Sequence, residues 1–151
     1  MMNEKDKQGY IFGQLFILAN RLQYLGDQFD EQISLKQWGL LAALSKFEGG
    51  SASIGQAATF LGSSGQNVKK MAVILERKGF ITIHTDEKDS RSVKLTLTEK
   101  AIEHAKSREE REGYFLEKLF QGMDENLLEV ICVGLKQLEE NIKQMEEDEM
   151  K

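Results

Sequence analysis

The chain has 151 residues, 40% of them hydrophobic, and a formal net charge of −5. That length supports one sizeable core, so the expectation is a single domain over residues 1–151. No run of about eighteen apolar residues occurs and Met1–Tyr10 is polar, which excludes a membrane-spanning helix and a signal peptide and places the protein in the cytoplasm, with no membrane partner. A lone cysteine, Cys132, cannot form an intramolecular disulfide, and the chain has no proline, so its turns rely on Gly, Ser and Asp.

Apolar residues at Phe12, Leu15, Leu18, Leu22, Leu25 and Phe29 keep a three-four spacing and predict a first helix with one continuous stripe. A second helix starts after Ser34, runs through Trp38, Leu41, Leu44 and Phe47, and stops at Gly49-Gly50. Ser53 and Gln56 stand at capping-box spacing and open a short third helix closed by Gly62. Ser63 or Ser64 caps a fourth, with Val68, Met71, Ala72 and Leu75 inward and Gln66, Asn67, Lys69, Lys70 and Val73 outward. Gly79 ends it.

The periodicity then changes to two. Ile81 and Ile83 alternate with Thr82 and His84, and Val93, Leu95 and Leu97 with Lys94 and Thr96, which predicts an antiparallel hairpin around a polar loop, Asp86 to Ser92. Thr98, or Thr96 with Glu99 as a capping box, opens a charged fifth helix. The last helix repeats Leu128, Ile131, Leu135, Leu138, Ile142 and Met145 in steps of three and four, a seam that needs a partner; the stripe of the first helix needs cover too, and an interface between two chains would bury the remainder.

Net charge argues against nucleic acid, but the distribution of that charge points the other way. Residues 63–94 hold seven basic and four acidic side chains, a local +3, whereas residues 1–62 sum to −1 and residues 95–151 to −7. The one positive segment is a polar, lysine-bearing helix followed by a hairpin with Asp89, Ser90 and Arg91 at its tip, which is how a small protein reads duplex DNA. Gln66 and Asn67 have the donor-acceptor pair that matches adenine, and Lys69 or Lys70 can reach guanine or phosphate; Ser64 opens the same helix. Arg91 suits a narrow minor groove, with Lys88 beside it and Asp89 placed to hold the loop by pairing with the guanidinium. The bland alternatives are a solvated helix face and an ordinary exposed turn.

Gly62-Ser63-Ser64-Gly65 matches the loop by which KH domains clamp RNA, but the surrounding helices fit a serine-rich helix junction better. His84, His104 and Cys132 lack metal-ligand spacing and read as an exposed hairpin imidazole, a helical surface imidazole and a packed thiol, so no metal or other cofactor is expected. No nucleophile-base-orienter set is present, which speaks against an enzyme.

Gln37-Trp38 with Leu41 and Leu44, then Ile54 to Phe80 (IGQAATFLGSSGQNVKKMAVILERKGF) and Asp86 to Ala101 (DEKDSRSVKLTLTEKA), resemble the MarR family of winged helix-turn-helix transcription regulators. The resemblance implies a mainly α fold with a small β-hairpin wing (α+β), a DNA-binding lobe over 34–98 and dimerisation helices over 8–30 and 99–148. It implies a homodimer whose recognition helices, Ser64 to Lys78, enter the major groove of a pseudo-palindromic double-stranded site, while the wings, Phe80 to Leu97, reach the minor groove. Half-site centres would lie about one helical turn apart. It also implies a cleft for a small aromatic or apolar effector, near Phe12, Phe16, Trp38 and Tyr114, residues that periodicity alone would assign to core. Ile83, His84 and Ser90 stand where many relatives carry arginine, which thins the charge of the wing. The expected function is therefore a dimeric transcription regulator, a repressor by occlusion; the alternative is a winged-helix dimer that serves as a protein-interaction module without specific DNA binding.

Overall fold

The computed structural model describes residues 1–151, which form two compact units, Met1–Lys106 and Ser107–Lys151. The fold is mainly helical with one small antiparallel sheet. The first unit holds α1 (Glu4–Phe29), α2 (Leu35–Leu44), a 3-10 turn (Glu48–Gly50), β1 (Ser51–Ser53), α3 (Ile54–Leu61), α4 (Gly65–Arg77), β2 (Ile81–Thr85), β3 (Val93–Leu97) and the start of α5 (Glu99–Leu119). The second holds the remainder of α5 and α6 (Glu125–Glu149).

Side-chain caps set most helix starts. Asn3 and Asp6 form a reciprocal capping box that begins α1 at Glu4, eight residues before the apolar stripe starts at Phe12. The same box recurs at Ser34 with Gln37 and at Ser53 with Gln56. The second helix is shorter than its apolar spacing suggests: after Leu44 the amides of Lys46 and Phe47 turn back to the carbonyls of Ala43 and Leu44, so the chain tightens instead of continuing. At the α3–α4 junction Gly62 takes the left-handed conformation, φ 65°, that ends α3 and lets Ser64 cap α4.

The sheet order is β1-β3-β2. In the hairpin Ile81 faces Leu97, Ile83 faces Leu95 and Thr85 faces Val93, the pairing that the alternation of apolar residues requires. β1 is an addition to the sequence expectation: Ser51, Ala52 and Ser53 pair with Thr96, Leu95 and Lys94. Three residues are too few to display a period, so only the structure reveals this strand.

The core of the first unit lies between α2, α3, α4 and the sheet, where Leu40, Leu44, Val68, Leu75, Phe80, Ile81 and Leu95 are fully buried. Each such side chain contributes about 1.5–3 kcal/mol relative to exposure. The α1–α2 corner is close as well: a Cβ on Gly26 would sit 2.8 Å from Leu35, and the Leu35 amide donates to Asp27 Oδ1 at 2.8 Å.

One open alternative is decided and two expectations are corrected. Thr98, not Thr96, caps α5: its hydroxyl accepts from the Ala101 amide and donates to the Gly79 carbonyl at 2.6 Å, whereas Thr96 is occupied in β3 with Ser51 and His84. His104 is not a surface imidazole. Its Nε2 lies 2.7 Å from Asp30 Oδ2, with the pair largely buried and the ring tilted against Phe80, because α5 brings this position onto a carboxylate 74 residues earlier in the chain. Cys132 is exposed rather than packed; α6 buries none of its residues.

Candidate nucleic-acid interface

α4 presents two opposed faces. Val68, Ala72 and Leu75 are fully buried, and Met71 is half-buried beside them. Half a turn away Gln66, Lys70 and Arg77 follow one another at i, i+4 and i+11, all exposed, with Lys69 and Asn67 at the margins. Gln66, Lys69, Lys70, Val73 and Ile74 line one open recess on this face, about 640 Å³ in volume. Four of the expected contact residues, Gln66, Asn67, Lys69 and Lys70, are thus free of the core and share one helix.

Ser64 has a prior duty. Its Oγ accepts from the Asn67 amide at 3.1 Å as the N-cap, and its own proton is left to donate outward. That single side chain both starts the helix and stands at the edge of the exposed face.

The far end of α4 is tied to the hairpin. Glu76 Oε2 accepts from the Ile83 amide at 2.7 Å, occupying a backbone donor of the edge strand β2. Lys100 Nζ donates to the Lys78 carbonyl at 2.6 Å and lies 4.8 Å from the centre of the Phe80 ring, so a cation sits at the C-terminal pole of α4 and on an aromatic face at once. The Lys78 ammonium reaches the Gln32 carbonyl. The Glu76 contact thus joins α4 directly to the hairpin, while Lys100 and Lys78 tie the end of the helix to α5 and to the segment before α2.

The hairpin loop is organised by its own carboxylates. Asp86 Oδ1 accepts from the Lys88 amide at 3.0 Å, and Asp89 Oδ1 accepts from the Arg91 amide at 3.0 Å and from Arg91 Nε at 3.4 Å. The Asp86 amide donates to the Ser92 carbonyl, closing the loop. Arg91 remains 91% exposed despite its partner, so the pair orients the guanidinium without sequestering it. Lys88 is exposed beside it. His84 contacts Thr96 Oγ1 through Nε2 at 2.8 Å, which fastens this exposed imidazole to the next strand.

Residues 31–92 match the MarR family model. Over that segment the chain is similar to the MarR family. A relative in sequence is the transcriptional activatory protein BadR of Rhodopseudomonas palustris, 33% identical over 91 residues, which cover 58% of this chain and 52% of BadR; the match thus spans about half of that protein's length. Among solved structures, a MarR/EmrR family transcriptional regulator from Acinetobacter sp. ADP1 superposes with a TM-score of 0.80 at 21% identity, covering 91% of this chain and 97% of the other. The S. aureus MepR–DNA complex gives 0.76 at 22% identity, covering 87% and 97%. These likenesses establish the MarR winged-helix fold.

Within that fold α3 and α4 are the helix-turn-helix and β2–β3 the wing. Arg77 is an exposed base on the recognition face that sequence reasoning passed over; its place eleven residues after Gln66 and seven after Lys70 is the signal that could have found it. The aromatic residues of the expected effector cleft have different surroundings. Phe12 and Phe16 form an edge-to-face pair at 5.1 Å on an exposed part of α1, and Trp38 is half-buried against the core of the first unit. Tyr114 is exposed in the second unit, with Lys118 Nζ 4.8 Å from its ring centre. No helix of the protein is long and apolar enough to cross a membrane.

Proposed function

We propose that this protein is a MarR-family regulator of transcription, cytoplasmic, dimeric and DNA-binding with sequence specificity, a binding protein rather than an enzyme. The observation that carries the reading is the junction of an exposed basic recognition face on α4 with an exposed, carboxylate-organised Arg91 on the wing, both within the net-positive segment of an acidic chain. α4 would place Gln66, Asn67 and Lys70 against base edges, while Lys69, Arg77 and the Ser64 hydroxyl hold phosphates. The wing would set Lys88 and Arg91 on the adjacent minor groove. A DNA complex of the similarly folded MepR supports this assignment.

Dimerisation is supported by apolar side chains left open to solvent. Phe12, Leu15 and Leu18 on α1 are 42–66% exposed, and Leu135, Ile142 and Met145 on α6 are 51–65% exposed. On each helix an exposed apolar row of this kind is a candidate interface. Two lobes related by a two-fold axis would read a pseudo-palindrome. Repression follows where the site overlaps the promoter, the reading we favour, although BadR is named an activatory protein. The exposed Phe12–Phe16 pair offers an aromatic surface to a small effector, which would act by favouring one spacing of the two recognition helices.

Selection of bound duplexes from a random pool, followed by affinity against salt, tests the proposal. The expected result is an enriched pseudo-palindrome whose affinity falls steeply with salt, with a slope of several phosphates. No enrichment even at about 50 mM salt would replace it with an interaction module, for which the arginine-poor wing, with Ile83, His84 and Ser90, would be the structural cause.

A further inference from the structure

Val73 occupies the midline of the recognition face, five residues from Val68 and therefore on the opposite side of α4 from the core. It continues the row Gln66, Lys70, Arg77 and shares their recess with Ile74, which is 39% exposed. A lone exposed apolar residue is ordinary on a protein surface. Here, however, two β-branched residues stand side by side among a glutamine and two lysines, on a helix where an unbranched polar residue would form the helix better and dissolve better. Val73 is half-buried there and Ile74 exposed, and neither belongs to the hydrophobic core cluster or to the side chains packed against it.

Resting on the DNA reading above, we infer that Val73, with Ile74 beside it, determines specificity by receiving thymine C5-methyl groups in the major groove. The thymine methyl is the apolar feature that the major-groove edge offers, and an apolar side chain is its natural partner. Lys69 and Lys70 flank the recess and would draw the phosphates to either side, pressing the base edges onto it. Val73 lies seven residues beyond Gln66, about 10 Å along the helix, so the two read different base pairs: the amide an adenine, the valine a thymine. An acceptor such as a carboxylate at position 73 would instead favour the cytosine amino group.

The test uses the full chain and the duplex enriched from a random pool. Each half-site thymine is replaced in turn by deoxyuridine, which removes the methyl and nothing else. Uracil at one or more of these positions is expected to weaken wild-type binding about fourfold, the effect of one methyl-sized group, while Val73→Ala, alone or combined with Ile74→Ala, binds the thymine and uracil duplexes alike. An enriched site without half-site thymine, or one bound equally well with uracil throughout, overturns this inference and leaves the DNA reading intact. Uracil sensitivity that persists unchanged in the double variant overturns it too. A pool with no enrichment overturns both.

Discussion

The winged-helix lobe and α6 handle similar apolar content in opposite ways. In the lobe, the side chains that helical and strand periods aim inward are enclosed, from Leu40 and Leu44 on α2 to Val68 and Leu75 on α4 and Ile81 and Leu95 in the sheet. Along α6 an equally regular row, including Leu135, Ile142 and Met145, stays open, and no residue of the helix is buried. Periodicity reports that a face must be covered. It does not report by what: the lobe contains its own cover in three helices and a sheet, whereas the row on α6 is left uncovered within this chain.

The sharpest way to break this contrast is to remove an enclosed residue. Phe80→Ala should destabilise the lobe by about 3–5 kcal/mol, because the ring is fully buried and touches both His104 and the Lys100 ammonium. Urea unfolding followed through Trp38 would measure it; a loss under about 1 kcal/mol, well below the usual large-to-small cost, would mean that the site collapses without a cavity and that the lobe is less closely packed than its burial implies.

An exposed residue should behave in the reverse manner. Ile142→Glu is expected to leave the unfolding of the lobe unchanged yet weaken association by about 1.5–3 kcal/mol for each copy of the side chain that the interface buries. Sedimentation at a series of concentrations reads this as a shift toward monomer. If the wild type is itself monomeric at the highest concentration, the dimer proposal fails and the open row on α6 has another partner.

A smaller effect joins the fold to the interface. Ser64→Ala should cost about 1 kcal/mol by removing the cap of α4, and Ser64→Asp, which retains an acceptor, should restore the stability while repelling phosphate. DNA affinity and stability would then move in opposite directions in the aspartate variant. Parallel changes would show that Ser64 serves the helix alone.

How much of this was legible in the sequence depends on the range of the interaction. The capping pair Ser53 and Gln56, the left-handed Gly62, the hairpin register and the two faces of α4 are encoded within a few residues, and each is visible in spacing. The start of α1 at Glu4 escaped because Asn3 and Asp6 precede any apolar period. β1 escaped because it is three residues long and is defined by its pairing with β3. The His104–Asp30 pair and the clamp from Glu76 to the Ile83 amide depend on topology, since a lone histidine or glutamate on a charged helix looks solvated until its partner arrives. Of the proposed interface, the exposure of Gln66, Asn67, Lys69 and Lys70 on one side of α4 was legible from spacing, but the contact that ties this helix to the wing was not.

That link between α4 and the wing gives meaning to the smallest expected effect. Arg91 is 91% exposed and its pairing with Asp89 stabilises the fold little, as is usual for surface ion pairs. Arg91→Ala should therefore leave unfolding and dimerisation unchanged. Its effect belongs to binding: one fewer phosphate-proximal cation should lower the salt slope by about one unit per wing. Asp89→Ala separates charge from placement, because it keeps the guanidinium but removes both its bond to Nε and the bond to the Arg91 amide that shapes the loop. If orientation matters, Asp89→Ala weakens affinity at moderate salt even though it makes the wing more positive; if charge alone matters, it strengthens binding. A loss in the aspartate variant would show that the loop carboxylates preorganise the wing as Glu76 preorganises its attachment to α4, and would explain how a wing with so few arginines still contributes.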